Sequence, residues 1–163
     1  MYLELILPTI EELAKLKPGH KILDLGTGDG IVARRLSDAQ KGVEVLACDV
    51  SEEQLEIARG STEAWHNMKR AKGPVEEKKI RFESLDLIDR RELDKFAEHH
   101  QEYVPVDPSP PKLVLRPCAR CISNTMITPR EFDVITISMV LQELPDLKPL
   151  AKFLPKVLKP DGK

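Results

Sequence analysis

One stretch, HKILDLGTGDG at residues 20–30, constrains the fold of this chain more than any other. Lys21 to Leu25 is apolar, Pro18-Gly19 precedes it and glycines follow it, which predicts a short buried strand. From Ile31 onward the apolar residues recur at helical spacing. A strand that enters a helix through three glycines lets the backbone approach a ligand closely, because no Cβ intervenes. The amides at the start of such a helix favour a negatively charged or polar ligand group.

The glycine spacing indicates which ligand. The dinucleotide-binding fingerprint is G-x-G-x-x-G. Here the third glycine, Gly30, comes one residue early, and an acid, Asp24, lies two residues before Gly26. The pattern D-x-G-x-G-x-G resembles motif I of the class I S-adenosylmethionine-dependent methyltransferases. The residues alone also allow a plain glycine-rich turn, and the segments downstream favour the methyltransferase interpretation.

The resemblance implies an α/β fold, namely a Rossmann-like doubly wound parallel sheet with strand order 3-2-1-4. It also implies that the first turn frames the methionine end of S-adenosylmethionine, through Gly26, Thr27, Gly28 and Gly30. Asp24 would lie near the amino group of that ligand, directly or through water.

A second apolar strand is predicted over residues 43–50, with Asp49 near its carboxyl end. Nucleotide-binding folds place an acid about 20 residues after the first glycine, where it accepts from ribose hydroxyls. The resemblance assigns Asp49 that role, with Val50 beside it in the cofactor site. A helix-capping aspartate is the alternative, but Ser51 and Gln54 already form a capping box. We expect the following helix to end at Gly60.

A third strand is predicted over residues 79–83. In the resembled family, an acid after this strand bonds the adenine amine, and the neighbouring apolar residue lies against the ring. Asp86 and Leu87 fit those two positions. A simple loop aspartate is the alternative for Asp86.

Residues 103–131 interrupt the pattern, being rich in proline and without helical or strand periodicity. We interpret them as an irregular insertion within one domain that spans residues 1–163. The insertion contains Cys118 and Cys121, but two further zinc ligands are lacking, so no metal site is predicted.

A fourth strand, at residues 132–137, resembles the family's F-D-x-[VI] motif, and Ser138 opens a segment that resembles the family's lining of the methyl-transfer region. Many small-molecule members carry histidine where this chain has Gln142 or Glu143, so no catalytic residue is assigned. The final L-K-P-D-G resembles the turn into a fifth strand. The sheet is therefore expected to be incomplete at its C-terminal end, in a fragment, a truncated paralogue or a chain that self-associates through the exposed fourth strand.

The composition and charge of the chain argue against some classes of partner and location. The 163 residues carry a formal net charge of −2, which argues against broad nucleic-acid binding. No apolar run approaches membrane-spanning length, and three cysteines do not make a disulfide framework, so a cytoplasmic location is expected. Residues 3–16 have the spacing of an amphipathic helix that packs beside the sheet.

The predicted function is methyl transfer from S-adenosylmethionine to a small-molecule acceptor. A non-catalytic methyltransferase-like binding or scaffold protein is the first alternative. An NAD(P)-dependent oxidoreductase is disfavoured by the early third glycine. A protein or RNA methyltransferase would use the same cofactor site, but no basic stripe or set of stacking aromatics favours RNA.

Overall fold

The computed structural model describes residues 2–73, 79–100, 131–137 and 140–163, with side chains from residue 7 onward. Within these ranges, no helix is long and apolar enough to cross a membrane. Strands and helices alternate along the chain, in the order α1 (Tyr2–Ala14), β1 (Lys21–Leu25), α2 (Ile31–Ala39), β2 (Glu44–Asp49), α3 (Glu52–Arg70), β3 (Lys79–Ser84), α4 (Arg90–His99), β4 (Val134–Ile137), a 3-10 turn (Leu141–Glu143) and α5 (Lys148–Val157).

The described strands form one parallel sheet in the order β3-β2-β1-β4, which confirms the predicted fold class and strand order. β1 lies in the interior of this sheet, and four of its five residues are buried. Its register sets Asp24 beside Ala47 of β2 on one side and beside Thr136 of β4 on the other. The two central strands, β1 and β2, are largely buried because helices cover both faces of a parallel sheet, whereas the edge strand β3 has no buried residue.

Two apolar clusters hold the helices on the sheet. One face packs Leu23, Leu46 and Phe132 against α4 and α5, including Phe153 of α5. The other face packs Ile22, Val45 and Val134 against α1 and α2, whose contributing residues are Ile10, Ala14, Val32, Ala33 and Leu36. The predicted leading helix is therefore confirmed, because α1 covers one face of the sheet.

The expectation that a helix ends at Gly60 was wrong, since α3 continues from Glu52 to Arg70. A glycine inside a helix costs about 1 kcal/mol relative to alanine. Leu55, Ala58 and Thr62 are buried on either side of this glycine, and their packing outweighs that cost. The start of α3 agrees with the prediction, because the Ser51 hydroxyl accepts a hydrogen bond from the Gln54 amide.

β4 is an edge strand of the described sheet, and Asp133 fixes its start. One carboxylate oxygen of Asp133 accepts from the Lys21 amide at 2.8 Å, and the other accepts from Lys159 Nζ at 2.7 Å. On the outer side of β4, the Ile135 amide donates to the Lys163 carbonyl, and the Lys163 amide donates to the Asp133 carbonyl. This is the hydrogen-bond pattern of a parallel neighbour. Of the predicted insertion at 103–131, only Glu131 lies within the described residues.

Candidate functional site

A cavity of about 550 Å³ opens at the carboxyl ends of the described strands. Ligands in open parallel sheets bind at this edge, where the strand order reverses, and here the reversal lies between β1 and β4. Six of the residues predicted for the cofactor line this cavity together: Gly26, Gly28, Asp49, Val50, Asp86 and Leu87. Residues that are far apart in the chain therefore meet at the predicted place.

The turn after β1 and the segment after β4 form two adjoining walls of the cavity. Gly26 has a φ of +70°, and a Cβ placed on it would meet the Cβ of Val140 at 2.7 Å. Real Cβ atoms do not approach so closely, so any larger residue at position 26 must displace Val140. The close approach of these two segments thus depends on the glycine.

Asp49 ties the glycine turn to the end of β2. One of its carboxylate oxygens accepts from the Gly28 amide at 2.9 Å, and the other accepts from the Ser51 amide at 3.0 Å. Each carboxylate oxygen has two lone pairs, so both can accept a further hydrogen bond from a ligand in the cavity. Asp49 is therefore fixed in place and still able to accept hydroxyl donors.

Asp24 lies beneath this turn and is fully buried. The Thr27 hydroxyl donates to its Oδ2 at 2.7 Å, and the Thr136 hydroxyl donates to its Oδ1 at 2.6 Å. Burial raises the pKa of Asp24 from 3.8 to about 6, since the two hydroxyl donors lower it by less and the nearby Asp49 carboxylate raises it slightly. Asp24 does not line the cavity, and its predicted contact with the amino group of the ligand stays a prediction.

An apolar wall faces the carboxylates across the cavity. Leu85 and Leu87 follow β3, and Val140 and Leu144 follow β4. Asp86 lies between the two leucines, and its Oδ1 accepts from the Ile88 amide at 2.7 Å. The leucine and valine side chains can pack on a flat ring, and the Asp86 carboxylate can accept from an amine at the rim of that ring. This part of the cavity therefore suits a purine that carries an exocyclic amine.

The remaining predicted residues lie elsewhere. Thr27 is buried with Asp24, away from the cavity lining. Gly30 packs α2 against its neighbours, because a Cβ there would meet Ala58 of α3 at 3.1 Å and Phe82 of β3 at 3.3 Å. Ser138 lies outside the described residues.

Sequence reasoning missed several residues of the site. Thr136 was not singled out, although it bonds Asp24, and its only signal was its place within the fourth strand. Four lining residues were not predicted for the cavity either, namely Ser51, Gln54, Leu85 and Ile88. Val140, Glu143 and Leu144 lie in the segment after the fourth strand that the resemblance places at the methyl-transfer region. Glu143, at one of the two positions where many small-molecule members carry histidine, is exposed at the cavity on the short 3-10 turn.

A larger cavity, of about 630 Å³, lies at the opposite edge of the sheet. Its charged residues pair with one another, since Lys21 contacts Glu131 at 3.4 Å and Lys79 contacts Glu44 at 2.6 Å. We place the functional site at the carboxyl edge, because the glycine turn and the helix N-terminus lie there.

Metal-binding chemistry has no set of ligands within the described ranges. No group of three or more histidine, cysteine, aspartate or glutamate residues there could hold a metal ion. Cys48 is a free, buried thiol whose pKa is raised by burial, which makes it unreactive. Cys118 and Cys121 lie outside the described residues.

Comparisons with known proteins agree with this geometry. Residues 2–163 match the family model described as "Methyltransferase domain". The ubiquinone biosynthesis O-methyltransferase of Idiomarina loihiensis is 25% identical over 148 residues, which cover 89% of this chain and 40% of that protein.

Solved structures show the same fold. A putative S-adenosyl-L-methionine-dependent methyltransferase from Methanococcus maripaludis is 15% identical with a TM-score of 0.58, over 96% of this chain and 51% of that one. A methyltransferase from Thiobacillus denitrificans, solved with S-adenosyl-L-homocysteine, is 18% identical with a TM-score of 0.54, over 96% and 44%. The chain spans about half the length of these relatives or less. Because the family model covers nearly the whole sequence, the chain belongs to the methyltransferase-domain family.

Proposed function

We propose that this chain binds S-adenosylmethionine in the cavity at the carboxyl edge of the sheet and takes part in methyl transfer to a small-molecule acceptor. The observation that carries the proposal is the meeting of the glycine turn, Asp49 and the Asp86-Leu87 segment around one cavity. Membership of the family supports it independently. The known relatives are about twice as long, so the activity is proposed and the acceptor stays unnamed.

The residues present fit the cofactor. The Gly26–Gly28 turn leaves room for the methionine end, since a Cβ at Gly28 would meet no protein atom. Asp49 would accept from the ribose hydroxyls, with Val50 beside it and 63% exposed. Asp86 would accept from the adenine amine while Leu87 packs on the ring. Ser138 stays a predicted contact at the methionine end.

When bound, S-adenosylmethionine supplies a methyl group on a positively charged sulfur, which is already an activated donor. The protein has to align the acceptor and exclude water more than it has to activate the methyl group. Val140 and Leu144 provide an apolar wall for that purpose. A base is required only where the acceptor must lose a proton, and no catalytic residue is proposed here.

Calorimetric titration with S-adenosylmethionine tests the proposal. We expect binding in the micromolar range by the wild-type chain and at least tenfold weaker binding by Asp49→Ala, since that variant loses the ribose contact and the tie to Gly28 (about 1.4 kcal/mol per tenfold). Asp161→Ala, which removes an exposed carboxylate far along the chain, is the matched control and should bind as the wild type does.

Three outcomes separate the alternatives. A folded wild-type chain that binds no S-adenosylmethionine would refute the proposal. Binding of NADH, detected by the fluorescence of its reduced nicotinamide, would indicate an oxidoreductase instead. Tight cofactor binding without transfer to any acceptor in a broad screen would favour a non-catalytic binding protein.

Two further features are proposed on narrower grounds. Self-association through β4 is supported by its position at the edge of the described sheet, where Lys163 pairs with Asp133 and Ile135 and the strand continues to Ile137. Sedimentation of the wild type and of Ile137→Lys would test it, because a charge on this edge should shift a dimer to monomers. A cytoplasmic location and the absence of nucleic-acid and membrane partners stay predictions from composition.

A further inference from the structure

Thr136 lies on β4, outside the cavity lining, yet it contacts the most buried carboxylate of the site. Its hydroxyl and that of Thr27 approach Asp24 from opposite sides, and each donates to a different oxygen. An ionised carboxylate accepts strongly from both hydroxyls at once and gains a charge-assisted hydrogen bond from each. A protonated carboxyl group must itself donate, so one of the two hydroxyls would have to turn round and accept.

The contacts continue from Asp24 to the cavity. Thr27 is held through its hydroxyl by Asp24, through its amide by the Cys48 carbonyl at 3.0 Å, and through its carbonyl by the Gly30 amide at 3.0 Å. The next amide, that of Gly28, donates to Asp49. Hydrogen bonds joined by the Thr27–Gly28 peptide bond thus run from β4 through the glycine turn to the carboxylate proposed for the ribose.

We propose that Thr136 is a positioning residue for this cavity, which holds Asp24 in the form that fixes Thr27 and the glycine turn. The proposal rests on the proposed function and goes beyond it, because neither Thr136 nor Asp24 needs to touch the cofactor. Their effect on cofactor affinity passes through Thr27 and Gly28.

The charges around Asp24 make the effect depend on pH. Asp49 acts on it from β2, Thr27 from the turn and Thr136 from β4. The Cys48 thiol on β2 stays neutral, because burial and nearby carboxylates raise its pKa. None of the described charged groups acting on Asp24 is a cation, so its ionised form depends on the two hydroxyl donors. Removing the donor on β4 should therefore raise the pKa of Asp24 above about 6. The turn would then lose its anchor within the neutral range.

The test compares Thr136→Val, which removes the hydroxyl at similar volume, with Thr136→Ser, which keeps it. S-Adenosylhomocysteine binding is measured by calorimetry between pH 5.5 and 8.5. At pH 5.5 we expect Thr136→Val to bind about fivefold to tenfold more weakly than the wild type, and at pH 6.5 about threefold more weakly, because the midpoint moves up by about one pH unit from about 6. At pH 8.5 the two should agree within about twofold. Thr136→Ser should follow the wild type.

A ligand-free measurement separates this proposal from the proposed function. Carbon-13 NMR of the Asp24 carboxyl group should show a midpoint about one pH unit higher in Thr136→Val, and the Thr27 and Gly28 amide signals should titrate with it. Should Thr136→Val fail to fold, Thr136→Ala replaces it. An affinity ratio that is the same at every pH, or an unchanged Asp24 midpoint, would overturn the positioning role. Absence of binding at any pH in the wild type would instead overturn the proposed function.

Discussion

Alanine at position 26 should be much more costly than alanine at another glycine of the same backbone conformation. Gly26 and Gly19 have φ values of +70° and +77°, both in the left-handed region. A Cβ at Gly19 meets nothing within 4 Å, whereas a Cβ at Gly26 meets Val140 Cβ at 2.7 Å and Cγ1 at 2.9 Å. Gly19→Ala therefore reports the backbone cost alone, and Gly26→Ala adds the collision.

The magnitudes follow from these two terms. Placing a Cβ in the left-handed region costs about 1–2 kcal/mol. Forcing an additional carbon into a packed contact costs about 1–3 kcal/mol more. We expect Gly19→Ala to lower the free energy of unfolding by about 1–2 kcal/mol and Gly26→Ala by about 2–5 kcal/mol. Urea denaturation followed by circular dichroism measures both.

A double-mutant cycle identifies the collision partner. Val140→Gly removes every side-chain atom that the new Cβ would meet, so Gly26→Ala should cost about 1–3 kcal/mol less in that background than in the wild type. Equal costs for Gly26→Ala and Gly19→Ala, or strict additivity with Val140→Gly, would refute the close packing of the two cavity walls.

Three other measurements follow from buried groups. The folded-state pKa of Asp24 is raised from 3.8 to about 6, so stability is lost as the pH rises through 6. Lowering the pH from about 7.5 to 3.5 should therefore stabilise the wild type by about 3 kcal/mol relative to Asp24→Asn. For Asp133 the dependence of stability on pH has the opposite sign. Burial raises its pKa, but the hydrogen bond from Lys159 contributes to a net lowering. Asp133→Asn should therefore lower the free energy of unfolding by about 1–2 kcal/mol at pH 7 and by less in acid. Phe132 is 2% exposed, and Phe132→Ala should lower the free energy of unfolding in urea by about 3–5 kcal/mol. Leu13 is 69% exposed, and Leu13→Ala should lower it by under about 0.5 kcal/mol.

The sheet could be predicted because its signals are local. Each apolar run carries its own strand pattern, and the turn after β1 combines Gly26, Gly28 and Gly30 within five residues. The same locality explains the error at Gly60. A glycine predicts a helix end from its neighbours in sequence, whereas the continuation of α3 depends on packing against β2 and β3.

The cavity residues also differ in whether local sequence signals can predict them. Asp49 is the last residue of β2 and Asp86 comes two residues after β3 ends, so their meeting at the carboxyl edge follows from the parallel order. The contact between Asp24 and Thr136 could not be predicted, since 112 residues separate the pair in sequence and only the β1–β4 register brings them together. The collision of Gly26 with Val140 depends on the same pairing.

The Asp24 network supports the proposal that this edge of the sheet is a binding site. At neutral pH the carboxylate is ionised inside the sheet, and the rise of its pKa from 3.8 to about 6 corresponds to about 3 kcal/mol of lost stability. A leucine or valine in its place would cost nothing of this kind. The network lies between β1 and β4, where the strand order reverses and where the Gly26 turn packs against Val140. Groups that lower stability are typical of functional sites, where they hold a geometry that function requires. A buried, ionised aspartate that fixes a turn beside a cavity fits that description.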